Sequence, residues 1–262
     1  MADVVIGLLH PGEMGAALGA VLGEVLWASS GRSPETSGRA EAAGLTDART
    51  VDELVRRSDV ILSVCPPHAA LDVARSVAGF DGVFLDANAV SPATARAIAA
   101  EIETGGGRFV DGGIIGPPPR SAGTTRLYLS GPSAQLVADL FDGTIVEPRI
   151  VSDRLGDASA VKMAYAAWTK GTAALLLAIR ELARAEGVEA TLLDEWRESL
   201  PELLEQSRRA ARVADNKGWR WVGEMEEIAS TFASADLPDG FHRAAAEVFR
   251  SASPRAGDRA GR

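Results

Sequence analysis

The chain has 262 residues, 46% of them hydrophobic, which is enough for two domains that each have a core. Its formal net charge of −9 at pH 7 and its lack of a basic run argue against nucleic acid and anionic membranes as partners. The single cysteine excludes internal disulfides and a cysteine metal cluster, and the three histidines lack ligand spacing, so no metal site is predicted.

The N-terminal segment carries Asp3 and no basic region, so it does not resemble a secretory signal. No segment of the sequence is long and apolar enough to span a bilayer. We therefore expect a cytoplasmic protein that acts on a small molecule.

The first predicted elements are a strand at residues 4–9 and a helix at residues 16–22, joined by the turn HPGEMG. In the dinucleotide fingerprint, this turn carries three glycines, so that a pyrophosphate can approach the backbone at the helix N-terminus. Gly12 and Gly15 occupy the second and third glycine positions, and His10 occupies the first. The alternative is a strand-to-helix turn that binds no ligand. Cofactor contacts are predicted for His10, Pro11, Gly12, Glu13 and Met14.

The second predicted strand, at residues 24–30, ends about where the ribose of a bound dinucleotide would lie. No Asp or Glu stands at that end to accept a hydrogen bond from the ribose 2′-hydroxyl. Arg32, Ser30 and Ser33 instead offer the positive charge and hydroxyl donors that suit a 2′-phosphate. We therefore predict NADP(H) as the cofactor, with NAD(H) less favoured; the alternative is that Arg32 lies in a solvated loop.

Helices and strands continue in alternation, which predicts a mostly parallel, doubly wound Rossmann-type sheet in a domain of residues 1–153. Ligands of such sheets bind beyond the carboxyl ends of the strands. At those ends, Cys65 and Pro66 are predicted to contact the cofactor, with Cys65 a small buried hydrophobe rather than a reactive thiol. Asn88 and Ser91 either orient the nicotinamide or substrate or cap the turn. The predicted helices cover residues 34–43, 51–57, 68–77 and 92–102, and the strands 59–64, 82–86, 108–111 and 126–130.

Residues 156–186 contain no proline and only one internal glycine, so they predict one long helix. From Met163 to Ile179 this helix is apolar on nearly every side, which predicts that it is buried between two domains. It contains Lys162, in a chain whose 27 basic residues include only three lysines. Unlike arginine, a desolvated lysine can lose its proton, which suits acid and base catalysis. The alternative is that Lys162 is a structural ion-pair partner. Tyr165 lies one helical turn along.

The rest of the chain predicts an all-helical second domain at residues 154–251 and a disordered tail at residues 252–262. A helical domain of this kind cannot bury its apolar faces alone, so we expect a homodimer. His242 is expected near the cleft or in an ordinary packing role. The predicted helices cover residues 190–199, 201–214, 219–234 and 238–251, with Pro201 and Pro238 in first turns.

Four segments together resemble the β-hydroxyacid dehydrogenase superfamily, which includes the 6-phosphogluconate and 3-hydroxyisobutyrate dehydrogenases. GLLHPGEMG is similar to its cofactor loop, and LDANAVSP to its following strand-end loop. DGGIIGPPPRSAGTTRLYLSG is similar to its substrate loop, and GDASAVKMAYAAW to the start of its interdomain helix. The resemblance implies a Rossmann domain, a homodimer and catalysis by Lys162. Together with the residues at the strand ends, it predicts substrate contacts by Ser91, Gly113, Ile114, Ile115, Trp168, Thr169 and His242.

Two departures from the family pattern affect the substrate. Ile115 and Pro117 replace the serine and glycine of the substrate loop, and Tyr165 and Ala166 replace asparagines beside the lysine. The C-terminal segment resembles a less characterised domain found on some members of the superfamily.

We therefore expect an NADP-dependent oxidoreductase that transfers a hydride between the nicotinamide and a hydroxyl or carbonyl carbon of a small substrate. Lys162 is expected to act as general acid and base, and Tyr165 as its hydrogen-bond partner or as the acid itself. The alternatives are reduction of an imine on the same scaffold and an NADP-binding protein without catalytic activity.

Overall fold

The computed structural model describes residues 4–252, apart from the side chains of residues 216 and 217. The chain forms two compact units, Met1–Met163 and Ala164–Arg262. The first unit is an α/β domain and the second is helical. None of the described helices combines the length and the apolar character that crossing a membrane requires.

Within the described part of the first unit, eight strands form one sheet in the order β3-β2-β1-β4-β5-β6-β7-β8. Every neighbouring pair is parallel except β6 and β7, which are antiparallel. The predicted doubly wound fold is therefore confirmed. The strands are β1 (Ile6–Leu8), β2 (Val25–Trp27), β3 (Thr46–Asp47), β4 (Val60–Ser63), β5 (Val83–Asp86), β6 (Arg108–Ile115), β7 (Thr125–Ser130) and β8 (Val146–Ser152).

Helices cover both faces of this sheet, and local capping chemistry explains where several of them begin. Ser33, Thr50 and Ser91 each accept a hydrogen bond from a backbone N–H in the first turn of the helix that follows. Proline follows two of these caps, at the position where a missing N–H costs nothing. The helices are α1 (Glu13–Leu22), α2 (Pro34–Ala42), α3 (Val51–Arg57), a 3-10 turn (Pro67–Ala69), α4 (Ala70–Arg75), α5 (Pro92–Thr104) and α6 (Ala134–Asp139).

Alternate residues of the central strands pack into two cores, one on each face of the sheet. Leu62 and Leu85 belong to one core, and their neighbours Ile61 and Phe84 belong to the other. All four side chains are fully buried. Strands buried on both faces are continuous apolar runs in sequence, which is why these strands were predictable.

Two edge strands, β3 and β8, and the short helix α6 (Ala134–Asp139) escape the sequence prediction. Strand β3 has only two residues, and both are exposed. Strand β8 contains Pro148 between the charged residues Glu147 and Arg149, so it lacks the apolar run that identifies a buried strand. Strand β6 also continues to Ile115, four residues beyond its predicted end.

The second unit holds most of α7 (Asp157–Ala185), which begins in the first unit, and all of α8 (Glu189–Ser199), α9 (Pro201–Ser234) and α10 (Gly240–Ala252). The predicted break between two helices near residue 215 is wrong, because α9 is continuous. Each of the two glycines inside α9, Gly218 and Gly223, costs only about 1 kcal/mol relative to alanine, and α9 packs against α10, where Trp221 contacts Phe249. Pro238 precedes α10 instead of lying in its first turn. The predicted tail starts one residue too early, since α10 includes Ala252, and residues 253–262 lie outside the described part.

The predicted burial of α7 on nearly every side is also wrong for the single chain. Tyr165, Trp168, Leu175 and Leu182 have 48%, 73%, 46% and 63% of their surface exposed. Their spacings of three, seven and seven residues place them on one stripe of the helix. A different side of α7 packs within the second unit, where Lys170 pairs with Glu224 of α9. The apolar sequence of α7 therefore reflects two faces, one packed and one exposed.

Candidate active site

The turn between β1 and α1 has one glycine that the surrounding protein does not require. A Cβ atom at Gly15 would lie 2.4 Å from the carbonyl oxygen of His10, so this glycine allows the helix to pack on the turn. A Cβ atom at Gly12 would meet no described atom within 4 Å, although Gly12 is the N-cap residue of α1. The space beside Gly12 is therefore open at a helix N-terminus, which fits the pyrophosphate of a dinucleotide.

Two arginines donate hydrogen bonds to the backbone of this turn. Nη2 of Arg32 lies 3.2 Å from the carbonyl oxygen of Leu9, and Nη1 of Arg39 lies 3.3 Å from that of Pro11. The Nε atom of Arg32 is buried and has no hydrogen-bond partner among the described residues. Sequence reasoning predicted Arg32 but not Arg39. Arg39 follows seven residues later, on helix α2, which begins just after the loop that carries Arg32. Both cations favour a phosphate-bearing ligand at this edge of the sheet.

The loop after β2 is held by its neighbours. Ser30 donates its backbone N–H to the carbonyl oxygen of Arg49 at 2.8 Å, and Ser29 donates to Asp47 at 3.2 Å. The hydroxyl of Ser33 accepts the first-turn bond of α2 from Thr36 at 3.2 Å. Asp47 is the last residue of β3, and its role was not predicted because the sequence did not predict β3. Its carboxylate organises the backbone of the loop that carries Arg32.

His10 stands beside these arginines and is neutral near pH 7. Burial, together with the positive charge of Arg32, lowers the pKa of its imidazole to about 4. Its Nδ1 atom is buried and has no hydrogen-bond partner among the described residues. The residue at the first fingerprint position is therefore a neutral, partly unsatisfied imidazole.

Asn88 links the carboxyl ends of β4 and β5. Its Oδ1 accepts from the backbone N–H of Cys65 at 2.5 Å, and its Nδ2 donates to Ser63 Oγ at 3.1 Å and to Asp86. These bonds use the amide within the protein and fix the loop that begins at Cys65. Burial and the nearby Asp86 carboxyl raise the pKa of the Cys65 thiol to about 12, so the thiol remains protonated.

Asp86 and Asp111 are register partners on β5 and β6, and both are fully buried. Burial and the charge of Asp111 raise the pKa of Asp86 to about 7. Asp111 receives four hydrogen bonds, from the N–H of Gly156 at 3.1 Å, the N–H and hydroxyl of Ser159 at 3.0 and 2.6 Å, and the hydroxyl of Ser130 at 2.8 Å. Three of these donors belong to the start of α7. The sequence placed Asp111 at a strand end but did not predict its hydrogen bonds to the start of α7.

Lys162 lies beyond the carboxyl end of β5. Its Nζ donates to the carbonyl oxygen of Ile114 at 2.7 Å. Strands β5 and β6 pair as far as Asp86 and Asp111, so Ile114 lies on β6 three residues past the end of that pairing. A Cβ atom at Gly113 would lie 2.9 Å from both Lys162 Cβ and the carbonyl oxygen of Ala158. Gly113 thus lets α7 approach the strand. Lys162 is half-buried, at the edge of the sheet where ligands of this fold bind.

The remaining predicted residues fall into two groups. In the first unit, Ser91 caps α5, which is one of its two predicted roles, and Ile115 is buried at the end of β6. In the second unit, Thr169 donates its hydroxyl to the backbone of Tyr165, and Trp168 is exposed. His242 is buried with its ring centroid 4.3 Å from that of Phe232. The first unit therefore brings together the residues predicted to bind the cofactor and Lys162 at one edge of one sheet.

A doubly wound, mostly parallel sheet with a glycine-bearing turn between its first strand and first helix is the architecture of dinucleotide-binding folds. Residues 183–252 match a family model described as a domain of unknown function, DUF1932. An uncharacterized 28.5 kDa protein from Methanothermus fervidus is 31% identical over 201 residues, which are 75% of this chain and 76% of that relative.

Two solved structures extend the comparison. A conserved protein of unknown function, whose structure is similar to 3-hydroxyacid dehydrogenases, shares 27% identity with a TM-score of 0.67 over 95% of this chain and 96% of that one. An imine reductase from Myxococcus stipitatus in complex with NADP+ shares the fold, with 21% identity and a TM-score of 0.56 over 98% of this chain and 95% of that one. The chain belongs to the β-hydroxyacid dehydrogenase superfamily and carries a DUF1932 domain at its C-terminal end.

Proposed function

We propose that the protein is an NADP-dependent oxidoreductase that transfers a hydride between the nicotinamide and a hydroxyl or carbonyl carbon of a small substrate. Membership of a dehydrogenase superfamily supports the reaction class. The observation that carries the proposal is the position of Lys162, whose Nζ is held at Ile114, past the carboxyl end of β5 and in the unit that contains the Gly12 turn. One sheet edge thus provides a place for the nucleotide and a group that can move a proton.

Three features support NADP(H) as the cofactor. The open space at Gly12 and the N-terminus of α1 suit the pyrophosphate. Arg32, with an unpartnered Nε, suits the 2′-phosphate, as do the hydroxyls of Ser30 and Ser33 at the same loop. The imine reductase of the same fold binds NADP+. His10, Pro11, Glu13, Met14, Cys65, Pro66 and Asn88 complete the proposed cofactor site.

Bound NADP(H) would supply or accept the hydride, and Lys162 would move the proton. As an ammonium, Lys162 donates a proton to the substrate oxygen during reduction, and as an amine it accepts the hydroxyl proton during oxidation. The hydrogen bond to Ile114 engages one of the three N–H donors of the ammonium group and fixes the position of Nζ. Tyr165, three residues along α7, is proposed as the hydrogen-bond partner or as the acid.

The substrate loop supports an uncharged or weakly polar substrate over a small hydroxyacid. Ile114 and Ile115 are buried, and Pro117 follows where the superfamily has a glycine. Proline and isoleucine offer no side-chain donor to a carboxylate. Gly113, Ile114, Ile115, Ser91, Trp168, Thr169 and His242 remain the proposed substrate contacts.

Imine reduction is the second candidate reaction. The apolar loop at Ile115 and Pro117 favours it, since an imine substrate needs no carboxylate contact, and imine reductases share this fold. An NADP-binding protein without activity is the third candidate, because Tyr165 and Ala166 replace the asparagines of the superfamily.

One experiment separates the three candidates. NADPH affinity is measured by calorimetry, and NADPH oxidation is followed at 340 nm with a panel of aldehydes, ketones, ketoacids and cyclic imines. Turnover with carbonyls supports the main proposal, and turnover with imines alone supports the second. Tight NADPH binding with no turnover of any compound supports the third, and a failure to bind NADPH contradicts all three.

We also propose that the protein is a homodimer that covers the exposed stripe of α7. The stripe contains Tyr165, Trp168, Leu175 and Leu182, and each side chain has nearly half of its surface or more exposed. Exposed apolar stripes of this size are typical of protein contacts. Light scattering after gel filtration measures the mass directly: we expect twice 27.4 kDa, and a monomer would contradict the proposal.

A further inference from the structure

The start of α7 is capped by a residue that lies far away in sequence. A helix N-cap is normally the residue just before the first turn, and it satisfies the free N–H groups there. In α7 the acceptor is Asp111 of β6, which binds the N–H groups of Gly156 and Ser159 across sequence separations of 45 and 48 residues. The cap therefore fixes the helix relative to the sheet, which a local cap does not do.

The neighbouring strand reinforces this attachment. Ser130 of β7 donates its hydroxyl to Asp111 at 2.8 Å, and the same oxygen accepts from the N–H of Ala158 at 3.0 Å. Asp111, Ser130 and Ser159 are all fully buried. Buried charge-assisted hydrogen bonds of this kind are short and strong, so the first turn of α7 is held by two strands at once.

The attached turn and Lys162 share one face of the helix. Ser159 and Lys162 are three residues apart, which places them on adjacent turns of the same side, about 4.5 Å apart along the axis. On the strand, Asp111 and Ile114 are also three residues apart, about 10 Å in extended chain. The stem of Lys162 spans the difference, since Nζ reaches the Ile114 carbonyl. Gly113 lies between the two attachment points, against Lys162 Cβ.

We propose that Asp111 is a positioning residue for Lys162: its carboxylate holds the first turn of α7 against β6 so that the ammonium group reaches the Ile114 carbonyl, past the carboxyl end of β5. This inference rests on the proposed function only in giving the position of Lys162 a catalytic purpose. The geometric part holds whether or not the protein turns over a substrate.

The three lysines of the chain make the test direct. Protein labelled with ¹³C-lysine gives three lysine spin systems, and Lys162→Arg assigns the one of interest. Asp111→Ala removes all four hydrogen bonds, and Asp111→Asn keeps the size and part of the acceptor capacity. Asp157→Ala is the matched control: it removes a carboxylate from the same helix end, but that carboxylate binds Ser152 and Arg154 instead of the N–H groups of α7.

We expect Asp111→Ala to shift the Lys162 spin system and to leave that of Lys170 unchanged, with Asp111→Asn intermediate and Asp157→Ala like wild type. For a substrate from the panel, kcat should fall about tenfold or more in Asp111→Ala, since small misplacements of catalytic groups are costly, while KM for NADPH changes little. Asp111→Asn should recover part of this loss.

Three results would overturn the inference. The first is a folded Asp111→Ala protein with an unchanged Lys162 spin system, and the second is an equal shift in Asp157→Ala. If Asp111→Ala does not fold, Ser159→Ala and Asp111→Asn provide the same reading, and wild-type Lys162 signals in both would be the third. If Asp111→Ala shifts the Lys162 signal but the wild-type protein oxidises NADPH with none of the compounds in the panel, the proposed function is rejected and the positioning role is kept.

Discussion

Two parts of this sheet edge differ in how their buried polar groups are paired. We call the proposed nucleotide site at the β1–α1 turn the nucleotide end, and the junction of β6 with α7 that carries Lys162 the lysine end. At the β1–α1 turn, His10 Nδ1 and Arg32 Nε are buried without a partner among the described residues, and the space beside Gly12 is open. At the junction of β6 and α7, Asp111 receives four hydrogen bonds within the protein. Unpaired buried polar groups cost free energy unless a ligand satisfies them, whereas satisfied networks make a structure rigid.

This difference separates two tasks. In a binding site, polar groups stay unpaired until the ligand binds. In the structure that holds a catalytic group, polar groups form hydrogen bonds with one another. The nucleotide end should therefore respond to substitutions mainly through cofactor affinity. The lysine end should respond through stability and turnover.

The largest expected effect on stability concerns Asp86, a buried carboxyl group beside Asp111. Asp86 Oδ2 has no hydrogen-bond partner among the described residues, and the pKa of Asp86 is raised from 3.8 to about 7. Between these two values, the folded protein holds a proton that the unfolded chain has released, so stability falls as pH rises through this window. Asp86→Asn removes this loss. From pH 5 to pH 8, the stability of the variant relative to wild type should increase by about 3 kcal/mol.

Urea unfolding of both proteins at pH 5, 6, 7 and 8 measures this change. Asn at this position still offers an oxygen to Asn88, so the local hydrogen bond is retained. Unfolding free energies that run parallel over the whole range would show that Asp86 is already ionised at pH 5, and that the buried carboxyl pair carries both charges.

The next prediction concerns NADPH affinity at the nucleotide end. Gly12→Ala adds a Cβ that meets no described atom within 4 Å, at an ordinary φ of −67°, so the fold should be nearly unaffected. NADPH affinity should fall about a hundredfold, because the added methyl group occupies the place of the pyrophosphate. Calorimetry measures the affinity and thermal unfolding measures the stability.

Gly15→Ala is the matched variant for that prediction. Its Cβ would lie 2.4 Å from the His10 carbonyl oxygen, so this protein should lose stability. Unchanged NADPH binding in a folded Gly12→Ala protein would show that the turn does not hold the cofactor.

The smallest effect concerns cofactor choice. Arg32→Ala should reduce the preference for NADPH over NADH by about tenfold or more, since a charge-assisted contact to phosphate contributes at least about 1.5 kcal/mol. Arg39→Ala is the comparison variant, because Arg39 also binds the turn but pairs with Glu35. The ratio of the two dissociation constants is the measurement. An unchanged ratio in Arg32→Ala, or an equal change in both variants, would remove Arg32 from the 2′-phosphate site.

Local chemistry explains what the sequence predicted well. The central strands are continuous apolar runs, and Ser33 and Ser91 mark helix starts because an N-cap is a property of a few adjacent residues. Lys162 was identifiable because lysine is rare in this chain and stands at the start of a long helix. Each of these signals lies within a few residues of the feature that it predicts.

Features that depend on distant parts of the chain escaped prediction. Asp111 acts on a helix that begins 46 residues later, and Asp47 acts on the loop after β2 from a strand of two exposed residues. The continuity of α9 depends on packing against α10, which the glycine near its centre does not indicate. Asn88 was predicted at the right place, but its bonds to Ser63 and Cys65 depend on the neighbouring strand.

The most direct test of the account is the turnover of Lys162→Met, which keeps most of the length of the side chain and removes the ammonium group. NADPH affinity should stay within a factor of about three of wild type, and kcat should fall by a factor of about 10²–10⁴, the usual contribution of a general acid. A variant that binds NADPH normally and oxidises it at the wild-type rate would contradict the assignment of Lys162 as the proton donor.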